Sequence, residues 1–246
     1  MSLPVFHEPG IAAVAVGGSV EVTGDEARHA VVVRRTRVGE QVTLTDGLGT
    51  SAVCTVTATG KQSLTATVHG LHRTPRETPR LVVVQAIPKG DRGELAVEML
   101  TEIGVDVIVP WAASRSVAVW RGERAAKSLA RWRSTAREAA KQSRRSWFPS
   151  VAEMAGTSEV ADLLRDAALP VVLHEAGGRP LASLDVPAEG DVVVVVGPEG
   201  GVSDEELAGF AAAGAEPLRL GGSVLRTSTA GVAACAALLA RTERWR

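Results

Sequence analysis

The run Val192-Val193-Val194-Val195-Val196 leaves a chain few ways to fold. Nothing in it alternates, so a strand built from it has apolar side chains on both faces and belongs inside a parallel sheet covered by helices. Directly after it comes Gly197-Pro198-Glu199-Gly200-Gly201, where missing side chains let backbone approach a ligand closely. Ser203 and Glu206 then have the spacing of a capping box that opens a helix. A second unit of the same kind follows, because Leu218-Arg219-Leu220-Gly221-Gly222-Ser223-Val224-Leu225-Arg226-Thr227-Ser228-Thr229-Ala230 runs into an Ala-rich apolar helix. Two strand-loop-helix units side by side put both glycine loops at one end of a sheet, where open α/β sheets bind ligands.

Composition narrows the function classes. With 27 Lys and Arg against 28 Asp and Glu the net charge is −1, so any affinity for nucleic acid rests on a local patch. Cys54 and Cys235 are far apart and have no C-x-x-C partner, and the five histidines are scattered, so neither a disulfide framework nor a metal site is expected. The amino terminus lacks the basic and apolar regions of a signal peptide, and no apolar run approaches bilayer length. A cytoplasmic chain with no membrane association is the expectation.

Residues 1–72 read as a β domain. Val14–Val16, Ser19–Val22, Gln41–Thr45, Ser51–Thr57 and Ser63–Val68 are short and β-branched, and turn residues separate most of them. Regular spacing of this kind argues for a small barrel or sandwich. Within it, 24–40 reads as a short helix leading to a basic loop carrying Arg28, Arg34, Arg35 and Arg37, either a phosphate-contacting surface or an ordinary solvated face. Residues 73–80 contain two prolines and no apolar residue and read as a linker. In 81–246 the pattern becomes α/β. Leu81–Ile87 is a buried strand, Asp91 and Glu94 are spaced as a capping pair, and Leu95, Met99 and Ile103 recur on one helical face before a strand at Val105–Pro110. Residues 121–145 hold nine Lys or Arg against Glu123 and Glu138, a net +7, over an apolar stripe of Ala125, Leu129, Trp132, Ala136 and Ala139. Such an imbalance in an otherwise acidic chain favours an RNA-facing helix over a plain amphipathic one. Trp147 and Phe148 serve either to stack a base or, more commonly, as core anchors. Val171–Glu175 is a strand ending in His174, readable as a general base or a structural residue. The closing apolar helix is core or dimer interface.

Neither glycine loop is a G-x-x-x-x-G-K-[ST] or G-x-G-x-x-G phosphate cradle, and Pro88–Gly93 supplies no dinucleotide fingerprint. The specific signal is G-P-E-G-G about twenty residues before L-G-x-x-x-L-R-T-x-T-A, joined by P-K-G-D-R, T-E-I-G-V and E-A-x-x-Q-S-x-R upstream. This combination resembles the SPOUT class of RNA methyltransferases, and within it the family that methylates N3 of a uridine in small-subunit (16S) ribosomal RNA. The family usually shows L-G-P-R-[VI]-L-R-T-E-T-A, whereas Gly222, Ser223 and Ser228 stand here for its Pro, Arg and Glu.

The resemblance implies a PUA-like barrel over 1–72 and a SPOUT domain tied in a trefoil knot over 81–246. It also implies a homodimer and a partner that is small-subunit ribosomal RNA or the assembled subunit. S-adenosylmethionine would be held by Leu173, His174, Glu175, Gly197, Pro198, Glu199, Gly200, Gly201, Leu220, Gly221, Val224, Leu225, Arg226 and Thr227. Arg28, Arg34, Arg35, Arg37, Lys89, Arg92, Arg137, Lys141, Arg144 and Arg145 would contact RNA. Arg226 is the expected electrostatic catalyst, its guanidinium stabilising charge on the deprotonated uridine. Glu199, just before a helix start that favours its ionised form, is a poor base and more suited to orienting the cofactor or the loop. Rival readings are a SPOUT enzyme for another ribosomal or transfer RNA nucleotide, and a non-catalytic RNA-binding assembly factor.

Overall fold

Alternating β-branched residues make the first part of the chain a five-stranded sheet. Its strands are β1 (Val5–His7), β2 (Ser19–Thr23), β3 (Gln41–Thr45), β4 (Thr50–Thr59) and β5 (Ser63–Arg73), arranged β1-β3-β4-β5-β2. β1 runs parallel to β3 and the remaining pairs are antiparallel. The period of two shows in the core, where Val42 and Leu44, Ala52, Cys54 and Val56, and Leu64, Ala66 and Val68 all point inward with Phe6 and Ile11. Between β2 and β3, α1 (Gly24–Arg28) continues as a π-helical turn at His29–Val33. The strand expected at Val14–Val16 does not form; that stretch is irregular chain after a 3-10 turn at Ile11–Ala13. β1, three residues long, is too short to announce itself by alternation.

The computed structural model describes residues 3–246 and separates into two units. The first reaches Arg76 and includes Ala140–Phe148; the second is Glu77–Ala139 with Pro149–Arg246. The segment 140–148 therefore counts with the β unit, although the sequence places it among α/β elements. Trp147 donates its indole N–H to the Thr74 carbonyl at 2.9 Å and packs on Gly49, and Phe148 packs on Gly47 and against the His7 ring. Both aromatics anchor this segment onto β-unit turns.

In the second unit every sheet pair is parallel. Its strands are β6 (Arg80–Ala86), β7 (Val107–Trp111), β8 (Ser150–Val151), β9 (Leu169–Leu173), β10 (Arg179–Pro180), β11 (Asp191–Val196) and β12 (Glu216–Arg219). They stand in the order β10-β12-β9-β11-β6-β7-β8, which places the valine strand β11 in the middle. Val192, Val194 and Val196 enter one core layer while Val193 and Val195 enter the other. Each fully buried valine is worth about 1.5–3 kcal/mol, so a strand apolar on both sides fits only here.

The first layer is covered by α2 (Arg92–Glu102), α3 (Glu123–Gln142) and α6 (Thr227–Leu239), the second by α4 (Thr157–Asp166) and α5 (Asp204–Ala212). α3 buries Leu129, Trp132 and Ala136, with Trp132 edge-on to Trp120 at 5.0 Å. α2 is rotated from the expected face. It buries Ala96, Val97, Leu100 and Thr101 against α6, while Leu95 stays exposed. Asp91 occupies the N-cap without a capping hydrogen bond, and Glu94 pairs with Arg131 at 3.3 Å. Among the described residues no helix is long and apolar enough to cross a membrane.

Candidate active site

Three loops leave the carboxyl ends of neighbouring strands β9, β11 and β12 and enclose one cavity of about 820 Å³. Its wall contains Leu173, His174 and Glu175; Gly197, Pro198, Glu199, Gly200 and Gly201; and Leu220, Gly221, Val224, Leu225, Arg226 and Thr227. All residues expected to hold the cofactor thus meet at one place. That volume lies within the range of small-molecule sites.

The loops are shaped by their own close contacts. A Cβ on Gly197 would stand 2.8 Å from the Val202 side chain, and one on Gly200 would stand 2.9 Å from the Arg115 carbonyl oxygen. These glycines let the loop fold on itself and on its neighbour, a different reason from the close ligand approach expected of them. Gly221 differs, with φ at +77° and open space where a Cβ would go. Gly201, at φ +74° and likewise facing open space, shares this, so these two wall positions need glycine for conformation.

Four polar residues fix the loops. Ser203 and Glu206 form the expected capping box. Buried Glu206 also accepts hydrogen bonds from the Ser114 N–H at 2.7 Å and the Thr157 hydroxyl at 3.2 Å, binding the loop after β7 to the start of α5. Burial alone would raise its pKa, but the bonds from Ser114 and Ser203 outweigh it and hold the carboxyl below its ordinary value. Glu199 accepts the Lys89 backbone N–H at 3.3 Å and so joins the loop after β11 to the loop after β6. His174 Nδ1 accepts the Ala176 N–H at 3.2 Å, a turn-closing role.

The basic residues divide between the units. In the first, Arg28, Arg34, Arg35 and Arg37 are exposed around the π-helical turn, with Arg35 in left-handed backbone at φ 57°. Arg144, also at φ 57°, is exposed, and Arg145 is half-buried. Lys141 corrects its expectation of RNA contact. It is buried, and both carboxylate oxygens of Glu26 hold its ammonium at 2.9 Å. In the second unit Arg137 is exposed on α3, Lys89 uses its backbone on Glu199, and Arg92 lines the cavity rather than a separate basic surface.

Residues 76–239 match a family model described as an RNA methyltransferase domain, and residues 22–68 match one described as an RNA methyltransferase PUA domain. The Ribosomal RNA small subunit methyltransferase E of Mycobacterium bovis is 43% identical over 241 residues, covering 96% of this chain and 90% of the relative. The chain belongs to the ribosomal RNA small subunit methyltransferase E family. A family member from Neisseria gonorrhoeae, solved bound to S-adenosyl methionine, superposes with a TM-score of 0.87 at 30% identity, covering 97% of this chain and 98% of that one. A methyltransferase from Legionella pneumophila in complex with the same cofactor gives a TM-score of 0.89 at 28% identity, covering 98% and 99%.

The cavity of this family member suits such a ligand. Leu173, Leu220, Val224 and Leu225 offer apolar wall, bare backbone at Gly221 offers polar groups, and charged side chains stand around both. Sequence reading missed Arg115, Asp204 and Arg219 in the wall. It also missed Gln85, whose buried amide donates to the Ala86 and Thr227 carbonyls at 3.1 and 3.4 Å. Arg115 lies in a loop without glycine punctuation or a motif, and contacts from elsewhere in the chain, the Ser114 bond to Glu206 and the close approach of its own backbone to Gly200, bring it to the site.

Proposed function

We propose that this chain transfers a methyl group from S-adenosylmethionine to N3 of a uridine in small-subunit ribosomal RNA. The observation that carries the reading is the convergence of the three loops on one cavity walled by Arg226. Family membership and the cofactor-bound relatives support it. Bound S-adenosylmethionine supplies an electrophilic methyl carried on a cationic sulfur.

The chain's own residues provide the rest. Leu173 and Leu220 exclude water from the cofactor's apolar faces, and backbone groups around Gly221 meet its polar edges. As N3 of the uridine loses its proton to water, negative charge spreads onto the flanking carbonyl oxygens. Arg226 stabilises that charge with a guanidinium that stays protonated. The start of α6, where the Arg226 carbonyl accepts the Thr229 and Ala230 N–H groups, holds that residue against the cavity. Glu199 positions its loop through Lys89 rather than taking the proton.

The same reading includes the trefoil knot, a homodimer and a cytoplasmic enzyme acting on RNA or the assembled subunit. The return of α6 from edge-side β12 to the central strands β6 and β11 supports the knot. The 84% exposure of Val224 and the half-exposed Val232, Ala233 and Ala236 support a covering second copy.

Arg226→Ala tests the assignment. Binding of S-adenosylhomocysteine, followed by calorimetry, should change little, while methyl transfer falls about 10²–10³-fold. An Arg226→Ala enzyme with undiminished turnover removes Arg226 from the chemistry.

A further inference from the structure

Arginines outnumber carboxylates four to three in the cavity wall. Arg92 opens α2, Arg115 lies in the loop after β7 and Arg226 caps α6, and among the described residues none of them has a carboxylate within ion-pair distance. Arg226 is accounted for by the uridine. Arg115 is not, and its surroundings set it apart.

The loop carrying Arg115 is pinned while its side chain is not. Ser114 donates its N–H to Glu206 at 2.7 Å, and the Arg115 carbonyl lies so close to Gly200 that no side chain fits there. The guanidinium makes one long bond, from Nη1 to the Val202 carbonyl at 3.5 Å, and its other donors have no protein partner among the described residues. Next to it the Ser116 hydroxyl oxygen is buried and likewise lacks a hydrogen-bond partner among the described residues. A guanidinium presents five donors in a planar fork that matches a carboxylate or phosphate, and a fixed backbone beneath it lowers the cost of binding.

We infer that Arg115 binds an oxyanion brought into the cleft with the reactants, either the carboxylate of the cofactor's methionyl tail or the phosphate of the target nucleotide. The inference rests on the methyltransferase reading above and adds a residue that grips rather than reacts.

Calorimetry on wild type, Arg115→Met and Arg115→Lys distinguishes the two sources. The probes are S-adenosylhomocysteine and 5′-methylthioadenosine, which keeps the adenosyl sulfur but lacks the amino-acid tail. KM and kcat for unmethylated small ribosomal subunits complete the set. If the carboxylate is the ligand, Arg115→Met weakens S-adenosylhomocysteine by about 10–100-fold, the loss expected for charged hydrogen bonds, and leaves methylthioadenosine unchanged. If the phosphate is the ligand, both small molecules bind as before and KM for subunits rises by about the same factor with kcat retained. Arg115→Lys keeps the charge without the fork and should fall between. The inference is overturned if neither quantity moves, or if both small molecules are lost together, which marks a collapsed pocket. Wild type that fails to bind S-adenosylhomocysteine removes the methyltransferase reading, and this inference with it.

Discussion

At Glu206 one carboxylate caps α5, receives the Ser114 N–H and meets the Thr157 hydroxyl. Its pKa lies below the unfolded value, so its contribution is fully present above the unfolded pKa and is lost as pH falls through the folded one. Wild type should therefore lose stability as pH drops below about 4, near the ordinary glutamate value. Glu206→Gln, which cannot gain charge, should show a flatter decline in thermal melts between neutral and acid pH. It should also cost about 1–3 kcal/mol at neutral pH through donors left without a good acceptor. Equal pH slopes for the two proteins would contradict the role. The capping box was legible because its spacing is local. The bond to Ser114, 92 positions away, was not. Lys141 shows the same limit: its place in a basic run says nothing of Glu26, which buries it.

The loops and strand ends behave as one element. Gly177 follows β9, and a Cβ there would lie 2.6 Å from the Leu218 carbonyl carbon of β12, backbone that cannot move cheaply. Gly177→Ala should destabilise the second unit by about 1–3 kcal/mol. Gly221→Ala, which meets only open space, should cost about 1–2 kcal/mol of backbone strain while weakening cofactor binding through the loop's shape. Chemical denaturation with parallel binding measurements checks the pair, and a Gly177→Ala protein as stable as wild type would show that β12 yields. The glycine pattern told where the loops are. It did not tell which glycines face protein and which face the cleft, because that depends on Val202 turning back on its own loop and on Arg115 arriving from a distant one.

Across the second unit, chain ends are tied by a buried pair. Arg244 donates to Asp106 at 2.8 Å, to the Pro79 carbonyl at 2.8 Å and to the Gly104 carbonyl at 2.7 Å, and Asp106 also accepts the Leu81 N–H. Arg244→Met should cost about 3–5 kcal/mol by removing the guanidinium that pairs with the buried Asp106 carboxylate, and Asp106→Leu with Arg244→Met should recover much of it. If the double variant is no better than the single one in urea melts, the carboxylate that lost its guanidinium is not the cause.

At this scale the parallel sheet, its two helical layers and the cleft at its carboxyl end followed from β11 and the two glycine loops. Strand order and the rotation of α2 did not, since both depend on packing between distant segments. The central claim, methyl transfer to one uridine, is tested most directly with methyl-labelled S-adenosylmethionine and small ribosomal subunits from cells lacking the activity. Label should enter the RNA and produce a single reverse-transcription stop at a uridine, because a methyl on N3 blocks base pairing. Label at another nucleotide, or no label from an enzyme that binds the cofactor, would contradict the account.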